Sequence, residues 1–260
     1  MFGEMVLMTV HNVYVFRKSG EPLVHVKVGS IEANPCLVTG LLSAIYSFTL
    51  EITKKKLKSI IVEDCQFVVL EDKDSGLLFA ACVDFEESII DIQKRLKDIK
   101  RLFTEKYKDV NYISEVTCFK PFEKDIKRVL LAPPINVDRN VLLSVREKLE
   151  EIAELGEIQG CALYSITGKP ILSVQIPKNI EISLLKRIES LLLASSTFHE
   201  LKPALIRVNN FPVVVIGSDL LVLAVVVQDD ESVGVASIVA EEYLKKIDFT
   251  IKIAGSVLED

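Results

Sequence analysis

Few side chains in this sequence have the type and spacing that chemistry needs. None of the three histidines, His11, His25 and His199, has a second ligand at metal-binding spacing. Each is expected to be a surface or strand side chain. The five cysteines, Cys36, Cys65, Cys82, Cys118 and Cys161, are odd in number and form no CxxC pair. Most sit in apolar runs, where a free thiol behaves as a small hydrophobe. Cys82 and Cys161 have no basic residue or helix N-terminus beside them to lower their pKa, so core packing is preferred over nucleophilic chemistry. No GxxxxGK[ST] is present, and no GxGxxG follows a strand, so nucleotide binding or hydrolysis by the usual routes is not expected. Lys54-Lys55-Lys56 with Lys58 is the sharpest basic cluster. It falls at an expected helix C-terminus, where cations suit the helix dipole; its other use would be an acidic partner surface. No catalytic residue, metal site or cofactor is expected.

Composition narrows the classes further. With 260 residues the chain has room for one large or two ordinary domains. Apolar residues make up 49%, enough for a large core. A net charge of -6 lacks the basic face that nucleic acid requires and does not favour an anionic membrane. The cysteine usage fits a reducing cytoplasm rather than a disulfide or zinc framework. Met1 to Val10 carries Glu4 and no basic region, so it does not read as a signal peptide. Val208 to Gln228 is the most membrane-like stretch, but Pro212 and the Gly217-Ser218-Asp219 turn signal make it two buried strands around a hairpin; no membrane insertion is expected.

The elements that position these residues occur twice. Val13-Tyr14-Val15-Phe16-Arg17-Lys18-Ser19-Gly20-Glu21-Pro22-Leu23-Val24 matches Cys161-Ala162-Leu163-Tyr164-Ser165-Ile166-Thr167-Gly168-Lys169-Pro170-Ile171-Leu172 in form. Each is an apolar run, a Gly-x-Pro turn and a second run, which is a β-hairpin. A helix follows each, over Pro35 to Thr53 and over Ile180 to Phe198. Three strands come next: Lys58 to Val62, Gln66 to Leu70 and Leu77 to Val83, against Ala204 to Val208, Pro212 to Ile216 and Leu220 to Val227. Glu63-Asp64 offers paired carboxylates, but its counterpart Asn209-Asn210 keeps the turn and loses the acids, so a turn is the preferred reading. Asp84, Glu86 and Glu87 precede a helix over Ile89 to Phe103, and Asp229-Asp230-Glu231 precede one over Val233 to Ile247. Acids there suit free N–H groups and the dipole. The second half adds a leading helix, Arg139 to Glu154; the first adds Asn111 to Val129. Pro133-Pro134 marks the boundary, giving domains 1–132 and 133–260. The expected class is α+β: two tandem units, each a five-stranded antiparallel sheet with flanking helices.

The order helix-ββ-helix-βββ-helix over Arg139 to Ile247 resembles the roadblock fold. The order ββ-helix-βββ-helix over Met5 to about Lys127 resembles the longin fold. Leu37-Val38-Thr39-Gly40-Leu41-Leu42-Ser43-Ala44-Ile45-Tyr46-Ser47-Phe48 also resembles longin/roadblock-type proteins of archaea. Profilin-like and PAS-type folds share parts of the outline. The resemblance implies a scaffold or regulator beside a small Ras-like GTPase, working as a homodimer or an intramolecular pseudo-dimer. It brings no catalytic motif. An arginine supplied in trans to a GTPase is conceivable, and nothing singles out Arg17, Arg139, Arg146 or Arg207. The alternative is a small-molecule sensor, which needs a cavity with convergent polar groups.

The two central helices are broader than one core-facing stripe. Pro35 to Thr53 has Leu37, Leu41, Ile45 and Phe48 on one line and Val38, Leu42 and Tyr46 on the next. Ile180 to Phe198 has Leu184, Ile188, Leu191 and Ser195 on one face, widened by Leu185, Leu192 and Leu193. The expected protein interface is therefore Leu41, Leu42, Ile45, Leu185, Ile188, Leu192 and Leu193, with contact across chains slightly preferred.

Overall fold

The computed structural model describes residues 10–108, 110, 116–133, 137–176, 178–194 and 201–257. They divide into two compact units that meet between Ala132 and Pro133. The first contains β1 (Val10–Arg17), β2 (Pro22–Lys27), α1 (Pro35–Thr53), β3 (Ser59–Val62), β4 (Cys65–Glu71), β5 (Leu77–Asp84), α2 (Ile89–Lys106), a 3-10 segment (Val116–Phe122) and α3 (Glu123–Leu131). The second contains α4 (Arg139–Ala153), β6 (Ile158–Ser165), β7 (Pro170–Val174), α5 (Lys178–Ala194), β8 (Leu201–Val208), β9 (Phe211–Gly217), β10 (Leu221–Val227) and α6 (Val233–Val257).

Each unit holds one five-stranded sheet, ordered β2-β1-β5-β4-β3 in the first and β7-β6-β10-β9-β8 in the second. All pairings are antiparallel. The fold is α+β, two tandem units of the same sheet topology. The likeness extends to single hydrogen bonds. In the first hairpin Gly20 N–H donates to Arg17 (2.8 Å) and Arg17 N–H to Glu21 (2.9 Å); in the second Gly168 donates to Ser165 (2.8 Å) and Ser165 to Lys169 (2.8 Å). Both glycines have positive φ, and both hairpins shift register one step before the proline pair, at Val15/Phe16 and at Leu163/Tyr164. Gly20 also lets α1 approach, because a Cβ there would lie 3.0 Å from Gly40 Cα. Two-residue turns at Glu63-Asp64 and Asn209-Asn210 join β3 to β4 and β8 to β9, with positive φ at Glu63, Asn209 and Asn210. The carboxylates of Glu63 and Asp64 are exposed turn residues.

Strand composition follows from burial on both sheet faces, which removes the need for polar alternation. In the first unit Tyr14, Phe16, Val69, Leu78 and Cys82 pack with Leu42 and Tyr46 of α1. Val13, Val15, Phe79 and Ala81 pack on the other face with Ile92, Leu96 and Phe103 of α2 and with Phe119, Phe122 and Ile126 beyond it. In the second unit Val145 and Leu149 of α4 and Ala240, Leu244 and Ile247 of α6 cover Cys161, Leu163, Leu223 and Val225. Val208 to Gln228 runs from the last residue of β8 through the Asn209-Asn210 turn and the β9–β10 hairpin to the one residue after β10.

Two local expectations are corrected. Helix α6 continues past Ile247 to Val257, because Ile251 prolongs the buried stripe and the Asp248 carboxylate accepts from Ser218 (2.8 Å). The N-cap of α2 is Ser88, whose hydroxyl accepts from Asp91 N–H (3.3 Å), rather than the preceding acids. His11 lies in a strand, as expected, and is buried in β1 with Nε2 2.7 Å from Asp84.

Candidate protein-interaction site

Helix α1 begins at Asn34, whose side chain accepts from the N–H groups of Cys36 (3.0 Å) and Leu37 (3.4 Å), with Pro35 at the first helical position. It ends at Lys54 in a left-handed conformation, φ 56°, with its N–H on Leu50 (3.0 Å). The line facing the sheet is partly polar: Thr39, Leu42, Ser43 and Tyr46 are buried. The Thr39 hydroxyl donates to Gly20 (2.7 Å) and Pro35 (2.8 Å), and the Ser43 hydroxyl to Lys18, tying α1 to the β1–β2 turn.

The outward line is more apolar than the inward one. Leu37, Leu41, Phe48 and Ile52 are 73, 61, 66 and 63% exposed, with half-buried Ile45 between them. A row of that length exceeds the isolated apolar side chains that surfaces normally carry. By length and apolarity alone α1 also matches a membrane span, the one such helix among the described residues. Its hydroxyl bonds to the hairpin and the pair Leu42–Tyr46 in the core fix its inner face on its own sheet.

Of the seven residues expected at the interface, Leu41 and Leu193 are exposed and Ile45 is half-buried. Leu42, Leu185, Ile188 and Leu192 are buried, Leu42 in its own unit's core. Residues 195–200, the expected end of α5 together with Ser195 and His199, lie outside the described residues. Leu37 and Phe48, which the sequence places on one line with Leu41 and Ile45, belong to the outer row but not to the expected interface, and Ile52 extends the row at the same spacing.

The row runs out onto exposed Lys54, Lys55 and Lys56. Below them Glu71, at the end of β4, has its side chain 6% exposed and holds Lys18 (2.5 Å) and Lys56. Burial works to raise the Glu71 pKa, but the two lysines outweigh it and bring it down to about 2. Burial and the neighbouring Glu71 push the Tyr46 phenol up. Lys18, Tyr46, Ser47, Leu50, Glu51 and Lys54 line an open cavity of about 360 Å³ at this end. The row thus has an apolar body and a cationic end.

A second cavity, about 300 Å³, lies where β4, β5 and α2 meet, lined by Asp72, Ser75, Lys100, Thr104, Tyr107 and Lys108 among others. Asp72 is buried; desolvation opposes its ionisation, but Ser75 (2.5 Å) and Lys100 (3.0 Å) hold its pKa below the usual value. The remaining candidates do structural work. Burial pushes the Cys82 and Cys161 thiols up to about 12, against nucleophilic use. His25 stacks on Tyr14 at 4.9 Å and contacts Asn12 (2.9 Å). Asp229 accepts from Ser232 (2.8 Å), and Asp230 pairs with Arg207 (2.6 Å). Arg17 donates to Val110 (3.2 Å) and Arg146 to Glu150 (2.9 Å). Among the described residues no three His, Cys, Asp or Glu side chains converge as metal ligands would.

No protein-family model matches the chain, and no curated protein matches it. A solved structure described as "MglB with tetrameric arrangement" is similar to it at 14% identity, with a TM-score of 0.39, covering 48% of this chain and 99% of that one.

Proposed function

We propose that this chain is a non-enzymatic cytoplasmic regulator or scaffold that binds a small Ras-like GTPase. The observation that carries the reading is the outer row of α1, Leu37, Leu41, Phe48 and Ile52, leading to Lys54–Lys56. An apolar strip with a cationic end suits a partner surface that is apolar and acidic. The duplicated unit, whose topology resembles the longin and roadblock folds, supports the class of partner. The test is calorimetry against Ras-like GTPases of the same organism, loaded with GDP or a GTP analogue. Binding to one of them, lost in Phe48→Glu, is the expected result. No binding in either state rejects the reading.

A second reading, a small-molecule sensor, is favoured by the polar groups that converge around Asp72. Stabilisation by a small polar ligand, abolished in Lys100→Met, would support it. The exposure of Leu41 and Leu193 also supports association through α1 and α5, as a homodimer or an intramolecular pseudo-dimer. Leu193→Glu points outward and is the variant that tests it by light scattering.

A further inference from the structure

We infer that α6 carries a self-complementary face on which a second copy of this chain docks antiparallel. One flank of the helix, Ala236, Ala240, Leu244, Ile247 and Ile251, belongs to its own unit's core. The opposite flank is exposed and steps by three and four residues through Val235, Ile238, Glu242, Lys245, Phe249 and Lys252. That is the spacing of a two-helix seam. Val235, Ile238 and Phe249 are 51, 71 and 67% exposed, a group of apolar side chains that solvent does not favour in one row.

The order of chemistry along the row identifies the occupant. Turning the helix end for end about a twofold axis between Tyr243 and Leu244 brings Ile238 onto Phe249 of the second copy. It brings Glu242 onto Lys245, and Val235 onto the aliphatic stem of Lys252 beside Ile253. Each contact occurs twice, as an isologous interface requires. A parallel in-register pair would set Glu242 on Glu242 and Lys245 on Lys245, so the charges select the antiparallel arrangement. In the single chain Glu242 pairs with Lys246 (2.7 Å) and Glu241 with Lys245 (2.7 Å), so the charged centre is satisfied before and after docking. Opposed helix faces about 30 Å long and about 10 Å wide bury about 600 Å² in total, below the usual size of a stable interface. The contact is therefore weak and concentration-dependent.

The test is sedimentation of the full chain from low micromolar to millimolar concentration, with circular dichroism as the check on folding. The weight-average mass is expected to double from its dilute value as concentration rises, and Ile238→Glu/Phe249→Glu is expected to hold the dilute value throughout. Glu242→Lys and Lys245→Glu, each placing like charges together twice, are expected to weaken association about tenfold. The combined charge swap is expected to restore it, which a merely exposed helix would not do. A parent mass independent of concentration, doubling that survives Ile238→Glu/Phe249→Glu, or a swap as weak as either single variant would overturn the inference. These outcomes do not depend on whether a GTPase binds α1.

Discussion

Replacing Arg95 by methionine keeps the length of the side chain and removes its charge and its donors. Arg95 lies on α2 with its side chain 7% exposed, and Asp91, one turn earlier, is 6% exposed. The guanidinium donates to Asp91 Oδ2 (2.7 Å) and to the carbonyls of Val129 (2.6 Å), Leu130 (3.0 Å) and Ala132 (2.9 Å). Those carbonyls close α3, where the helix has no further N–H to offer. Arg95 thus clamps the chain at the point where it leaves the first unit. Removing one member of a buried ion pair costs about 3–5 kcal/mol. The α3 carbonyls add less than their full value, because they reach water once the last turn frays. The expected loss is about 4 kcal/mol, or a fall of roughly 10–20 °C in the melting of this unit. Circular dichroism on heating gives the size, and hydrogen exchange at the amides of Leu130 and Leu131 gives the place. Adding Asp91→Leu to Arg95→Met removes the uncompensated carboxylate and should recover much of the loss. A loss below about 1 kcal/mol would refute the reasoning, since that is what a solvent-exposed pair contributes.

Glu71 makes the first unit sensitive to acid. Its folded pKa, about 2, lies below the ordinary carboxylate value, so its contribution is present above roughly pH 4.3 and is lost as the pH falls toward 2. Glu71→Gln should lower neutral stability by about 2 kcal/mol and flatten the acid limb of a denaturation series; an unchanged acid limb would count against the assignment. Gly20 and Gly76 both have positive φ, but only Gly20 has a neighbour in the way. Alanine at position 76 should cost about 1 kcal/mol and at position 20 at least twice that by urea unfolding, because α1 must also move. The purified chain incubated with GTP or ATP should release no phosphate above blank; turnover that survives further purification would contradict the non-enzymatic reading.

The architecture was legible because it is repeated. Gly20-Glu21-Pro22 and Gly168-Lys169-Pro170 mark two hairpins that share hydrogen bonds and register shift, and Pro35 to Thr53 is the observed extent of α1. The end of α6 was not legible, since Asp248 and Lys252 interrupt the apolar run while Ile247 and Ile251 remain buried. The inner and outer lines of α1 could not be told apart from pattern. The inner line carries Thr39 and Ser43, whose hydroxyls find carbonyls in the neighbouring turn, while Leu41 and Phe48 face out. Amphipathicity therefore points the wrong way at the helix that matters most. Glu71 gave no signal either, because Lys18 and Lys56 reach it only after the sheet and the helix end have formed.

The edge strands bear on how a partner can approach. Of the four, β2 opens at Pro22, β7 opens at Pro170, and β8 contains Pro203 at the break in its register with β9. The fourth, β3, is only four residues long. A proline cannot donate to an added strand, and a short edge offers little to extend. Sheet growth, whether by a binding peptide or by neighbouring chains in an aggregate, is discouraged at all four margins. Newly made first units awaiting the rest of the chain can then meet one another without stacking edge to edge, and lasting contact is left to the helix faces.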